Sequence, residues 1–280
     1  MDLEHLKQWI GRTETLSDEV TAFPPAALAA TLDRDDPPPR PGDELPPVWH
    51  WLYFLPLYRQ SEVGPDGHAR RGGFLPPVPL PRRMWAGSRI EFLQPLRIGE
   101  AITRHSRVAD VTIKQGRSGA LVFTQVEHEI AGPQGLAIRE RHDIVYRDPP
   151  QAGTAPPAPQ PARSDEQFAR RIVPDPLLLF RYSALTFNGH RIHYDQPYVT
   201  GTEGYPGLIV HGPLIATLLL DGLRRQQPQR RVARFEFKAV SPLFDIEPFE
   251  VCGRIDGDEA TLWARGPQGR LAMQAQVRLG

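Results

Sequence analysis

The run GLIVHGPLIATLLLDGL, residues 207–223, decides how this chain folds. Its Leu, Ile, Ala and Thr side chains continue past the length of an ordinary strand, which predicts a buried helix. A helix that is apolar on all sides needs cover on several of them. The residues that follow supply it: segments 233–240, 247–255, 259–265 and 270–279 read as strands, separated by turn signals such as Asp256-Gly257-Asp258. A helix followed by an antiparallel meander is satisfied by a strongly curved sheet wrapped round that helix.

The N-terminal part repeats the plan. Strand-like segments lie at 85–94, 100–114, 119–130 and 136–147. Arg89-Ile90-Glu91-Phe92 echoes Arg234-Phe235-Glu236-Phe237, and each is followed by Pro-Leu, at Pro95-Leu96 and Pro242-Leu243. The two echoes differ in offset by two residues, a slip that keeps the same strand faces inward. Gly132-Pro133-Gln134-Gly135 recurs as Gly266-Pro267-Gln268-Gly269, a hairpin-type turn. The matching helix is less evident: Leu16 to Asp33 has a partial helical pattern, and 37–81 is rich in proline and aromatic residues and reads as irregular. Six of the 31 prolines fall between Asp148 and Arg163, a stretch almost without large apolar side chains. Residues 148–163 are therefore expected to form an extended linker between an N-terminal half, 1–147, and a C-terminal half, 164–280. The expected fold class is α+β, with two curved antiparallel sheets that each wrap a helix, fused in one chain.

Lys plus Arg and Asp plus Glu number 33 each, so no net charge draws the chain to nucleic acid or an acidic membrane. No window has the length of unbroken apolar sequence that spans a bilayer, and the N-terminus lacks the pattern of a secretory signal. The lone Cys252 cannot form an internal disulfide, and no Cys/His cluster has zinc-ligand spacing. These features predict a cytoplasmic protein with a small-molecule partner and no bound metal.

Chemistry concentrates in FRYSALTFNGHRIHYD, residues 180–195, and in the His211-Gly212-Pro213 start of the apolar run. Here the chain resembles the MaoC-like hydratases and dehydratases, in particular the double-hotdog hydroxyacyl-thioester dehydratases that include mesaconyl-CoA and itaconyl-CoA hydratases. WHWLYF at 49–54 and GFLPPVPLPRRMW at 73–85 are similar to that group's N-terminal half. The resemblance implies a double hotdog fold and reversible hydration of an enoyl thioester. Coenzyme A would be part of the substrate, and no separate cofactor would be needed. The acyl group implied is either a short branched dicarboxylic one or a straight fatty chain. In the C-terminal half, Asn188 and His193 match the family's pair of an acid or amide followed five positions later by histidine, and His211-Gly212 matches its helix start.

Adding water across an enoyl thioester needs a base for the water, donors for the thioester oxygen and a proton for the α-carbon. Neutral imidazole at His193 suits the first and last. Asn188, which stands where many relatives have aspartate, cannot take a proton but can orient the water. Gly212 leaves room for a carbonyl at a helix N-terminus, and Pro213 fits the first turn. His211 has two readings, ring packing at the helix start or contact with the substrate. The pairs Arg70-Arg71, Arg82-Arg83 and Arg224-Arg225 are candidate contacts for the phosphates of coenzyme A, Arg82 and Arg83 being the best placed. Trp49, Trp51, Tyr53, Phe54 and Tyr58 either line an acyl pocket or pack the core. The competing functions are an acyl-CoA thioesterase and a non-catalytic acyl-CoA binder. A fused pair leaves a further homodimer optional.

Overall fold

The computed structural model describes residues 3–116, 119–148 and 158–280. The N-terminal half contains β1 (Thr13–Glu19), α1 (Phe23–Thr31), β2 (Arg82–Phe92), β3 (Ala101–Gly116), β4 (Gly119–Gly132) and β5 (Gly135–Arg147). The C-terminal half contains β6 (Phe168–Ile172), α2 (Pro176–Leu185), α3 (Gln196–Gly201), α4 (Gly212–Gln226), β7 (Val232–Ala239), β8 (Phe249–Asp256), β9 (Glu259–Arg265) and β10 (Leu271–Leu279). All ten strands make one sheet in the order β1-β3-β4-β5-β2-β7-β10-β9-β8-β6. Read from either end, the two five-strand halves have the same order, so β2 and β7 meet at a pseudo-twofold axis.

The sequence echo creates that join. Arg89-Ile90-Glu91 runs antiparallel to Arg234-Phe235-Glu236, with Ile90 opposite Phe235. Each arginine therefore faces the other segment's glutamate, and Arg89 Nε lies 2.8 Å from a Glu236 carboxylate oxygen. Gly87 brings the strands close, since a Cβ there would stand 2.4 Å from the Phe237 carbonyl oxygen.

The eight strands expected from alternation are present within a few residues of their expected ends. β1 and β6 were not expected. They are the two outermost strands, and their mixed, largely exposed side chains carry little of the apolar pattern that marks a strand packed on a core. The helical pattern over 16–33 resolves into the end of β1 and the shorter α1, which starts at a Pro-Pro pair. Of the apolar run 207–223, the part from Gly212 on is helical, the start that the His211-Gly212 match implies. Residues 207–211 are non-helical, with Ile209 bridged to Phe244. In the linker, residues 149–157 lie outside the described residues, while Pro161 bridges to Arg270 and the Ala162 N–H bonds the Gly269 carbonyl.

Buried residues from Leu214 to Leu223 pack α4 against β8, β9 and β10. Its buried Asp221 is held by Arg34, Arg170 and Arg225, and Arg34 belongs to the first half, so this cluster ties the halves together. The first half has no counterpart of α4 among the described residues. A single 3-10 turn, Trp49–Leu52, and the irregular chain beyond it lie there instead, and the concave face of β4 and β5 borders a cavity.

Candidate active site

The sequence positions His193 with little freedom. Asp175 caps α2 by accepting from the Leu178 N–H at 2.8 Å, and the chain then turns through Phe187 in a left-handed conformation, φ 49°. The Asn188 N–H bonds the Ser183 carbonyl, and the Asn188 side-chain oxygen accepts from the His190 N–H at 3.0 Å. That bond leaves the Asn188 amide with its two N–H donors unassigned, and Asn188 lines the cavity. His193 closes a short 3-10 turn, Arg191–His193. Its Nδ1–H donates to the Ile209 carbonyl at 2.7 Å, which makes Nε2 the free acceptor. Burial lowers the His193 pKa to about 4, against the opposing pull of the Ile209 carbonyl, so the ring is neutral at pH 7.

Of the two readings of His211, ring packing at the helix start is the one that its surroundings fit. It is 0 % exposed and does not line the cavity. Its ring stacks on His193 at 3.6 Å and 18°, and its Nε2 lies 2.8 Å from Ser183 Oγ, so it fixes the plane of the neighbouring imidazole. Gly212 does border the cavity. A Cβ built there would find the Trp85 carbonyl oxygen, at 3.8 Å, as its nearest contact, so the space over the α4 N-terminus is open. The first-turn N–H groups of the helix have no intrahelical acceptors and can serve a ligand.

The cavity has two lobes of about 470 and 520 Å³ that meet at His68, Arg83, Trp85, Asn188 and Pro213. The second lobe lies over the sheet of the first half, where Trp51, Tyr53, Phe54 and Tyr58 line it. Trp49 lies outside this lobe, in the core. Beside the lobe, Glu140 is buried yet ionised. Burial raises its pKa, but His142 and His50 hold it well below the carboxylate range. It accepts from Ser88 Oγ at 2.9 Å and from Trp51 Nε1 at 3.1 Å.

Asp66 and His68 were not found by sequence reasoning, because they reach the site only through the fold. Their loop lies against Gly189: a Cβ on Gly67 would stand 1.9 Å from the Gly189 carbonyl oxygen, and one on Gly189 would stand 2.7 Å from the Gly67 oxygen. The Arg191 N–H bonds the Asp66 carbonyl, and Tyr58 donates to the Gly67 carbonyl. Asp66 accepts from His68 Nδ1 at 3.3 Å, and the His68 ring lies 4.1 Å from His190. The ligand atoms of Asp66, His68 and His190 lie within 4.8 Å of one another, a spacing that would admit a metal ion. Asp195 caps α3, accepting from the Tyr198 N–H at 3.1 Å, and pairs with Arg191 at 2.8 Å.

Gly67→Ala is expected to lower turnover by roughly a hundredfold, the effect of displacing a site by about 1 Å. Gly67 has φ +90°, where a side chain is also strained. Circular dichroism should show the fold retained. Turnover equal to the parent's would mean that the loop does not position the site.

The expected phosphate contacts separate. Arg82 pairs with the Glu203 carboxylate at 3.2 Å and stacks over Tyr205, whereas Arg83 lines both lobes. Arg71 donates to the carbonyls of Val78, Leu80 and Pro81. Arg224 pairs with Asp36 of the first half, and Arg225 pairs with Asp221 one turn away on α4. Cys252 is buried, and its thiol pKa is pushed up to about 12, which leaves it inert. At the pseudo-twofold equivalent of the site, a cleft of about 620 Å³ includes His50, but the His50 Nε2 is engaged by Glu140 at 2.9 Å.

Residues 48–245 match the family model described as hydroxyacyl-thioester dehydratase type 2. The chain is 49% identical to mesaconyl-C(4)-CoA hydratase of Chloroflexus aurantiacus over 275 residues, 97% of each chain. It superposes on a MaoC-like dehydratase from Phytophthora capsici with a TM-score of 0.66 and 13% identity, covering 100% of this chain and 99% of that one. A Mycobacterium tuberculosis protein with a double hotdog fold gives 0.60 and 12% identity over 97% and 96% of the two chains. These two structural likenesses establish the fold as a double hotdog.

Proposed function

Because this chain belongs to the hydroxyacyl-thioester dehydratase type 2 family, we propose that it adds water reversibly to an enoyl thioester at the cavity of His193. It is a hydro-lyase. The observation that carries the mechanism is the single free acceptor at His193 Nε2, held beside the Asn188 amide and the open N-terminus of α4.

A water that accepts from the Asn188 amide and donates to His193 Nε2 is aligned for the β-carbon of the enoyl group. As its oxygen bonds to that carbon, its proton passes to Nε2 and the π electrons move to the thioester oxygen. The N–H groups at the start of α4 stabilise the oxygen's developing charge. The imidazolium then returns the proton to the α-carbon, which restores the thioester and gives the 3-hydroxyacyl product. His211 and Ser183 hold the imidazole plane throughout. The reaction moves protons only, so coenzyme A as the acyl carrier is the only cofactor-like group involved. The acyl group we favour is short, branched and dicarboxylic, on the strength of the mesaconyl-C(4)-CoA hydratase relative. The buried, inert Cys252 fits a reducing cytoplasmic setting.

Mesaconyl-C4-CoA or crotonyl-CoA mixed with the protein should lose its enoyl absorbance without releasing free thiol. Thiol release would instead identify a thioesterase, and retention of an unchanged ligand would identify a binder.

A further inference from the structure

We propose that Arg83 is the receptor for a second carboxylate on the acyl group, a role that rests on the hydratase reading and names what the site selects. Arg83 pairs with Tyr146 across β2 and β5, and Trp85 pairs with Ile144, which places Arg83 on the sheet face shared with the cavity-lining Tyr146 and Ile144. Its positive charge acts on the buried Tyr146 hydroxyl. It stands where the two lobes meet, with Asn188 and His68, and its charge acts on both His68 and His190. The His190 ring is 5.4 Å from His193. Arg83 therefore lies on the cavity wall where the lobes join, on the side of Asn188.

Most other arginines near the cavity are engaged. Arg82 has Glu203, Arg71 has three carbonyls, and Arg104 has Glu14 at 3.8 Å. Among the described residues no carboxylate lies within ion-pair distance of Arg83. The nearby Asp66 is engaged by His68, and Glu140 by His50, His142, Trp51 and Ser88. A half-buried guanidinium left in this state is completed by an anion from the ligand, bound through its planar fork. The phosphates of coenzyme A are separated from the thioester by the whole pantetheine arm, so a cation at the lobe junction is far from them when the thioester sits against His193. A carboxylate carried on the β-carbon can be reached. A monocarboxylic enoyl chain offers Arg83 nothing.

The test compares mesaconyl-C4-CoA with crotonyl-CoA as substrates of the parent, Arg83→Gln and Arg83→Lys. The ratio of their kcat/KM values should fall by roughly ten- to hundredfold in Arg83→Gln, the range of a charge-assisted hydrogen bond, and by less in Arg83→Lys. An equal loss on both substrates would overturn the assignment. The unaltered protein provides an independent measurement, since succinyl-CoA should inhibit it more tightly than butyryl-CoA, and equal inhibition would also overturn the assignment. If the parent hydrates neither thioester, the hydratase reading itself fails.

Discussion

Alanine in place of His193 lowers turnover by roughly a hundred- to ten-thousand-fold, the contribution of a general acid–base group, while thioester binding survives. The expectation follows from the bonding round the ring. Nδ1 is committed to the Ile209 carbonyl and the stacked His211 fixes the plane, so Nε2 is the single proton acceptor this ring offers the cavity. Asn188→Ala should cost less, since it removes a donor to the water and no proton carrier. Asn188→Asp should remain active, because one carboxylate oxygen can keep the bond from the His190 N–H while the other faces the water. Turnover of His193→Ala within about tenfold of the parent would move the proton carrier elsewhere. His190, which lines the cavity, would then be the first alternative, and the fully buried His211 is excluded from direct contact.

Stability is expected to fall steeply as the pH drops below about 6.5. His193 and His68 have pKa values lowered to about 4, chiefly by burial, and burial also lowers those of His190, His128 and His211. The unfolded chain takes up these protons near pH 6.5, whereas the folded protein does not. The unfolded state therefore binds more protons below that pH, so stability present at neutral pH is lost as the pH falls toward the folded values. A ring held neutral through this window contributes up to about 1.4 kcal/mol per pH unit, and His193 and His68 together amount to several kcal/mol by pH 5, with the other three acting in the same direction. Glu140 adds to the loss only in more acidic solution, since its folded pKa is also depressed, from a carboxylate value. Thermal midpoints measured at pH 8, 7, 6 and 5 should be nearly level above 7 and then decline by several degrees per unit. A flat profile down to pH 5 would show that the histidines are not held neutral.

Much of the fold is legible because alternation and length are local. The strands of each meander, the helix start at His211-Gly212-Pro213 and the repeated Arg-x-Glu segments all lie within short windows. The outermost strands are not legible in the same way, because β1 buries none of its side chains fully and the short β6 buries only Ile172. The site divides similarly. Asn188 and His193 are five residues apart on one loop and can be recognised together. Asp66 and His68 lie more than a hundred residues away, and the packing of their loop against Gly189 and Arg191 brings them in. The role of His211 depends on a ring stack, and the separation of Arg82 from Arg83 depends on strand register, neither of which spacing alone records.

The second lobe occupies the place where the first half would otherwise wrap a helix like α4. Reactivity and substrate choice are consequently inherited on separate stretches of chain. Substitutions at 51–58 and 74–85, which leave the Asp66–His68 loop intact, can reshape the room for the acyl group while 188–213 keep the same proton transfers. A lineage can therefore acquire a new substrate without relearning the chemistry, and a library confined to those N-terminal positions is the economical place to alter specificity.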